Sequence, residues 1–170
     1  MLLVGLLYAD DAWARTALEG LSGRFGQMDY LSAVSPFAYT DFYAAEMGAN
    51  LARRHAVFHD LVDPGALAEI KLWTNGLETS LAGPAGRRVN VDPGLLSPLS
   101  LVLASGKPAA HRVYLSRGIW AEPTLVFEKG GYLPLKWTYP DYAAPAFREA
   151  LAPLRQRYLM RTKETKCSEA

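Results

Sequence analysis

Residues 63–92, DPGALAEIKLWTNGLETSLAGPAGRRVNVD, decide how the chain is read. Asp63 suits a helix cap, Pro64 suits the first turn, and Leu67, Ile70, Trp73, Leu77 and Leu81 recur at the spacing of one helical face. Gly83-Pro84-Ala85-Gly86 breaks that pattern. From Arg87 to Asp92 the period drops to two, with Val89 and Val91 facing one way and Arg88, Asn90 and Asp92 the other. The segment therefore reads as a helix followed by a strand, and each carries a polar row. On the helix that row is Lys71, Thr74, Asn75 and Glu78, at i, i+3, i+4 and i+7, bordering the apolar face. Polar groups beside a core cost free energy unless they find partners, so the two rows are the first candidates for a site.

Working outward, residues 3–9 are apolar on both alternating faces, as in a central strand covered on both sides. Asp10 or Asp11 can cap a helix over 12–25. Residues 28–36 and 54–61 read as strands, with a loop and a short helix ending at Gly48 between them. The order strand, helix, strand, strand, helix, strand is the βαββαβ pattern of a ferredoxin-like α+β core. Further on, 99–104 reads as strand or helix and 111–116 as strand. Residues 119–128 and 132–135 flank the hairpin signal Lys129-Gly130-Gly131. A last helix over 144–160 carries Phe147, Leu151, Leu154 and Tyr158 on one face. The expectation is one α+β domain over 1–160, ending in an added β-hairpin region and a terminal helix, with a disordered polar tail over 161–170. In a two-layer sheet Arg88 and Asn90 face away from the helix, so the polar rows meet only at a strand end or around an edge. Pro93-Gly94 is expected to turn the backbone there, at the rim of a cleft.

The bulk numbers narrow the classes. A chain of 170 residues that is 50% apolar has enough material for one substantial core. Lys and Arg total 18 against 17 for Asp and Glu, a net charge of +1, which speaks against gripping nucleic acid by bulk charge. The single cysteine, Cys167, excludes a disulfide framework or cysteine zinc site within one chain and fits a reducing cytoplasm. The opening MLLVGLLY lacks a basic leader and stops at Asp10-Asp11, and no run reaches the ~20 apolar residues of a membrane span. A P-loop is absent: Gly106-Lys107 precedes Pro108, and no Lys-Ser/Thr follows Gly83 or Gly86. So is the G-x-S-x-G of a serine nucleophile. Arg148, Arg155, Arg157, Arg161 and Lys163 read as a solvated, mildly basic helix flank, with RNA contact as the outside alternative.

Several separate motifs resemble an uncharacterised prokaryotic family, domain of unknown function 4416. They are TDFYAAEMG (40–48), IKLWTNGLE (70–78), RVNVDPG (88–94), HRVYL (111–115) and KWTYPDY (136–142), and the similarity spans nearly the whole chain. Members of that family are often labelled GTP-binding proteins, which implies a nucleotide; without a P-loop any such ligand uses another kind of site. His55 and His59 stand four apart, as a metal-binding pair can. The resembling pattern has an aromatic at the first position and often an acid at the second, which speaks against a shared metal there.

The resemblance implies a constellation. Lys71, Arg88 and Arg112 would neutralise phosphate. Thr40, Thr74, Asn75 and Asn90 would orient the ligand, and Tyr43 or Trp137 would stack on it. Asp41, Glu46, Glu78, Asp92 and Glu122 are carboxylates suited to Mg2+ or proton transfer, Asp92 and Glu78 being the candidate Mg2+ ligands. Asp92, Glu122 and His111 are the candidates for chemistry. The other reading of Arg88, Asn90 and Asp92 is a structural ion pair with a bridging amide. The expected partner is a small phosphorylated or nucleotide-like ligand, with neither nucleic acid nor membrane, and with an RNA-associated module or non-catalytic interaction protein as alternatives. The ligand reading requires Lys71, Arg88 and Arg112 to converge.

Overall fold

The apolar run at the start of the chain forms β1 (Leu2–Tyr8), buried throughout its length at the centre of a nine-stranded antiparallel sheet. The computed structural model describes residues 1–168, with side chains through residue 163. Asp10 caps α1 (Asp11–Phe25), its carboxylate accepting from the Ala12 N–H at 2.8 Å. Then come β2 (Met28–Leu31), the short β3 (Ser35–Pro36), the single turn α2 (Ala44–Met47) and β4 (Ala52–Phe58). The side chain of Asp63 accepts from the Gly65 N–H and opens a 3-10 turn that leads into α3 (Leu67–Ser80) and β5 (Val89–Leu96). The second half supplies β6 (Ser100–Ser105), β7 (Val113–Ser116), β8 (Ile119–Glu128), β9 (Gly131–Pro134), α4 (Pro140–Ala143) and α5 (Pro145–Ser168). The sheet order is β2-β4-β1-β5-β6-β8-β7, with β3 beside β4 and β9 beside β8. The architecture is mixed α and β around one large antiparallel sheet. No described helix is long and apolar enough to cross a membrane. Of the stretch 161–170 expected as a disordered polar tail, residues 161–168 continue α5, and 169 and 170 lie outside the described residues.

Helices cover both faces of the central strands, which is why β1 is apolar on both. Leu2, Val4, Leu6, Phe58, Val89 and Val91 pack under α1 and α3. Leu3, Val57, Leu101, Leu103 and Leu125 pack under Phe147, Leu151 and Leu154 of α5 and Tyr142 of α4. Each such side chain contributes about 1.5–3 kcal/mol on burial. The α5 arginines are more than a solvated flank. Arg148 donates to the carbonyls of Ala143 and Tyr132, Arg155 to that of Pro98 and Arg157 to that of Asp29, so the helix is fastened by backbone acceptors.

One irregularity positions the site. β5 pairs with β1 along its length, from Val89 to Leu95, but with β6 only from Gly94 to Leu96. Between Val89 and Pro93 the strands diverge and the sheet is split. Pro93 stands two residues from Val91 and so has the same edge to the opening, where its missing N–H loses no bond. At Gly94 the strands close again: a Cβ there would stand 2.6 Å from the Leu103 side chain and 2.9 Å from the Val102 carbonyl. The sharp turn expected at Pro93-Gly94 is therefore absent, because both residues are absorbed into the strand, one at the gap and one at its closure.

Gly5 faces α4 from the middle of β1. A Cβ at this position would lie 2.3 Å from the Tyr142 hydroxyl and 3.2 Å from the Arg53 guanidinium. Gly5→Ala is expected to destabilise the fold by about 1–3 kcal/mol in urea denaturation. Combining it with Tyr142→Phe should recover part of that loss, since the hydroxyl is the nearest clash.

Candidate functional site

In an ordinary sheet the exposed N–H and C=O of Val91 would pair with the next strand. At the split they pair with α3 instead. Lys71 Nζ donates to the Val91 carbonyl at 2.9 Å, and Glu78 Oε1 accepts from the Val91 N–H at 2.8 Å. Seven residues apart, Lys71 and Glu78 sit one above the other on the helix and form an ion pair at 3.8 Å. Both are only 6% exposed. Burial pushes the Glu78 carboxyl above its ordinary range, Lys71 opposing this. Lys71 also reaches Asp92 Oδ1 at 3.3 Å, and Asn90 donates to Asp92 Oδ2 at 2.6 Å. The two polar rows thus meet around an edge, as the geometry of a helix-covered sheet requires.

A cleft of about 580 Å³ opens over this split. Its floor holds Lys71, Asn75, Glu78, Asn90 and Asp92. One wall is the segment before and around α2, with Phe37, Tyr39, Thr40, Phe42 and Tyr43. The opposite wall is the end of β6 with Ser105 to Lys107, Arg112, Glu122 and the start of α4. Phe42 and Lys107 face each other across the cleft, with the ammonium 3.9 Å from the ring centroid.

Arginines brace each side. Arg87 makes a two-toothed contact with Glu46 of α2 at 2.8 and 3.0 Å, donates to Asn90 Oδ1 at 2.9 Å and lies 3.7 Å from Glu78. Arg53, buried on β4, meets Asp141 at 2.9 Å and Asp92 at 3.9 Å. Burial disfavours its charge, and the Asp141 and Asp92 carboxylates oppose that cost. The Asp141 carboxyl is raised by burial against the pull of Arg53, and burial pushes the Tyr43 hydroxyl up to about 12. Arg112 donates to Glu122 Oε2, to the Lys107 carbonyl and to the Tyr139 hydroxyl, tying the loop after β6 to β8 and α4. His111 contacts the same Oε2 at 3.2 Å while its ring stacks on Trp137, centroids 4.6 Å apart.

Of the residues expected at the site, Thr40, Tyr43, Lys71, Asn75, Glu78, Asn90, Asp92, Arg112 and Glu122 line this one cleft. Glu46, His111 and Trp137 stand behind it as supports, and Thr74 is sealed inside, its hydroxyl on the Lys71 carbonyl. Asp41 contributes its backbone carbonyl to the turn that starts α2. Arg88 is misassigned: it precedes β5 and lies over the Trp13 ring of α1 at 4.1 Å, outside the cleft lining. The expected convergence of Lys71, Arg88 and Arg112 is therefore not met as stated: Lys71 and Arg112 line the cleft, and the neighbouring arginine that joins them there is Arg87, not Arg88. Sequence reasoning also passed over Arg53, Lys107, Asp141 and Tyr142. Arg53 had a signal, a charged residue in a strand that otherwise buries Ala56, Val57 and Phe58. Asp92 and Glu78, the candidate Mg2+ ligands, share Lys71, and among the described residues no group of three or more His, Cys, Asp or Glu is placed to hold a metal ion. His59 pairs with Asp29, while His55 is buried against the Phe147 and Tyr142 rings.

Lys71→Met removes the cation while leaving Glu78 buried, and is expected to cost about 3–5 kcal/mol in urea denaturation. The double variant Lys71→Met, Glu78→Gln should be less destabilised than the sum of the single changes. Burial, aided by the nearby Arg53 cation, lowers the His55 pKa to about 3, against the ordinary 6.5. The unfolded chain then binds the extra proton between those values, so this group makes stability fall as the pH drops from 6.5 towards 3. His55→Phe should flatten that part of a stability-versus-pH curve.

The model of one family, Domain of unknown function (DUF4416), matches residues 1–158. Neither a curated protein nor a solved structure matches the chain.

Proposed function

The chain belongs to the DUF4416 family, and from its cleft we propose that it binds a small phosphorylated or nucleotide-like molecule. The observation that carries this reading is the gathering of Lys71, Arg87, Arg53, Lys107 and Arg112 with aromatic side chains around one cleft of about 580 Å³. That volume lies within the ~300–1,000 Å³ of small-molecule sites. Phe42, Tyr43 and Tyr139 offer flat surfaces to a base or sugar. The floor cations are matched by Glu78, Asp92 and Asp141, whereas Lys107 is exposed and enters none of the ion pairs among the described residues. It is the natural contact for a phosphate at the mouth.

Asp92 retains 27% side-chain exposure, so it is the carboxylate that a Mg2+ carried in on phosphates would meet. GTP belongs among the ligands to be tried because of the family resemblance. A reducing, cytoplasmic setting fits a chain with one cysteine. We read the first half as a ferredoxin-like core, supported by the run β2-β4-β1-β5 with antiparallel neighbours. An RNA-binding sheet of that kind needs an open face, and the central strands here are covered on both.

Differential scanning fluorimetry with GTP, ATP and sugar phosphates, with and without Mg2+, is expected to raise the melting temperature for at least one of them. Lys107→Glu, at an exposed position, should leave the apo stability within about 0.5 kcal/mol and weaken binding by roughly tenfold in calorimetry. A panel in which no member shifts the melting temperature overturns the proposal.

A further inference from the structure

Of the cations that line the cleft, all but one are matched by acids. Arg53 meets Asp141 and Asp92, Lys71 meets Asp92 and Glu78, Arg87 meets Glu46, and Arg112 meets Glu122. The acids of the floor and walls are held in place. Glu78, Glu122 and Asp141 are buried, Glu78 also accepts from the Val91 N–H, and Asp92 accepts from the Asn90 amide. Drawing one of these cations towards a ligand would strand a buried carboxylate without its countercharge, which is strongly unfavourable. Lys107 is different. It is exposed, enters none of the ion pairs among the described residues, and holds its ammonium 3.9 Å from the Phe42 ring centroid. Its backbone is nevertheless fixed, the N–H donating to the Ser105 hydroxyl at 3.2 Å and the carbonyl accepting from Arg112 at 2.7 Å. The cleft therefore offers one placed, unmatched positive charge, and that charge stands at the mouth.

Aromatic rings beside it are also open to a partner. Tyr39, Phe42 and Tyr139 line the cleft while remaining 52%, 55% and 49% exposed. Rings half open on a concave wall suit a flat molecule. We propose that the cleft selects a singly phosphorylated molecule, with its one phosphoryl group on Lys107 and its flat, uncharged remainder against these rings. This inference rests on the small-molecule reading and narrows it to phosphate monoesters. Each further phosphate adds negative charge that finds no unmatched cation. Pointing outward, it enters water; pointing inward, it meets the fixed carboxylates of Glu78, Asp92, Asp141 and Glu122. Extra phosphates thus contribute no affinity, and GTP and ATP are bound no better than GMP and AMP.

The test is calorimetry on the full chain at about 0.15 M salt, where attraction between exposed charges beyond ~8 Å is largely screened. Mg2+ is omitted so that only the protein's own cations act. Guanosine, GMP, GDP and GTP are compared, then the adenosine series, with ribose 5-phosphate as a phosphate that lacks a base. In at least one series the monophosphate is expected to bind about tenfold more tightly than the nucleoside. The diphosphate and triphosphate of that series should bind no more than about threefold tighter than the monophosphate. Lys107→Ala should bring the monophosphate down to the affinity of the nucleoside, which itself stays unmoved, and Lys107→Arg should retain the monophosphate's advantage.

A triphosphate that exceeds that limit overturns the inference while the small-molecule reading stands. So does a monophosphate whose advantage over the nucleoside is absent or survives Lys107→Ala, and so does binding that appears only when Mg2+ is restored. If ribose 5-phosphate binds and no nucleoside or nucleotide does, the flat remainder is wrong and the inference falls, though the phosphate reading survives. If no compound of the set binds even with Mg2+ restored, both fail.

Discussion

The backbone N–H and C=O of Val91 are paired not with a strand but with Glu78 and Lys71 of a helix. A buried edge must have its polar groups satisfied, so the sheet can open between β5 and β6 only because α3 delivers one acceptor and one donor at the right height. The seven-residue spacing along the helix supplies that height, and the opposite charges offset part of each other's desolvation. Without this pair the strands would have to zip shut or expose an edge. The cleft exists because they do neither.

Around the opening, charge serves mainly to hold shape. Arg87 joins α2 to β5 and α3, Arg53 joins β4 to α4, and Arg112 joins the loop after β6 to β8 and α4. These links come from distant parts of the chain, so the walls are fixed relative to one another before any ligand arrives. A preorganised cleft loses less conformational freedom on binding than one that must assemble. Among the cleft's cations Lys107 stands apart from these braces, exposed at the mouth with its ammonium over the Phe42 ring.

Much of this was legible in the order of residues, but unevenly. The polar row on α3 could be read from its period, and so could its position beside the core. Which way the Arg87-Arg88 pair divides could not. Alternation places Arg88 with Asn90 only if the strand already includes it, and β5 begins at Val89, leaving Arg88 free to turn to Trp13. Pro93-Gly94 misled for a related reason. The dipeptide favours a turn in isolation, yet here the proline fits a gap in pairing and the glycine a close strand contact. The α5 arginines look like a charged surface until the backbone carbonyls that receive them are in view.

The linear order by itself determined the apolar periods, a cap at Asp10 or Asp11 and one at Asp63, the buried character of β1 and the polar stripe of α3, because each follows from neighbours a few residues apart. Tertiary structure decided that the stripe closes a split sheet, that Arg87 rather than Arg88 enters the cleft, and that Arg53, Asp141 and Glu122 are joined to it. Those outcomes depend on strands and helices separated by tens of residues meeting side by side, and on which backbone groups that meeting leaves unpaired. Local spacing carries no record of either.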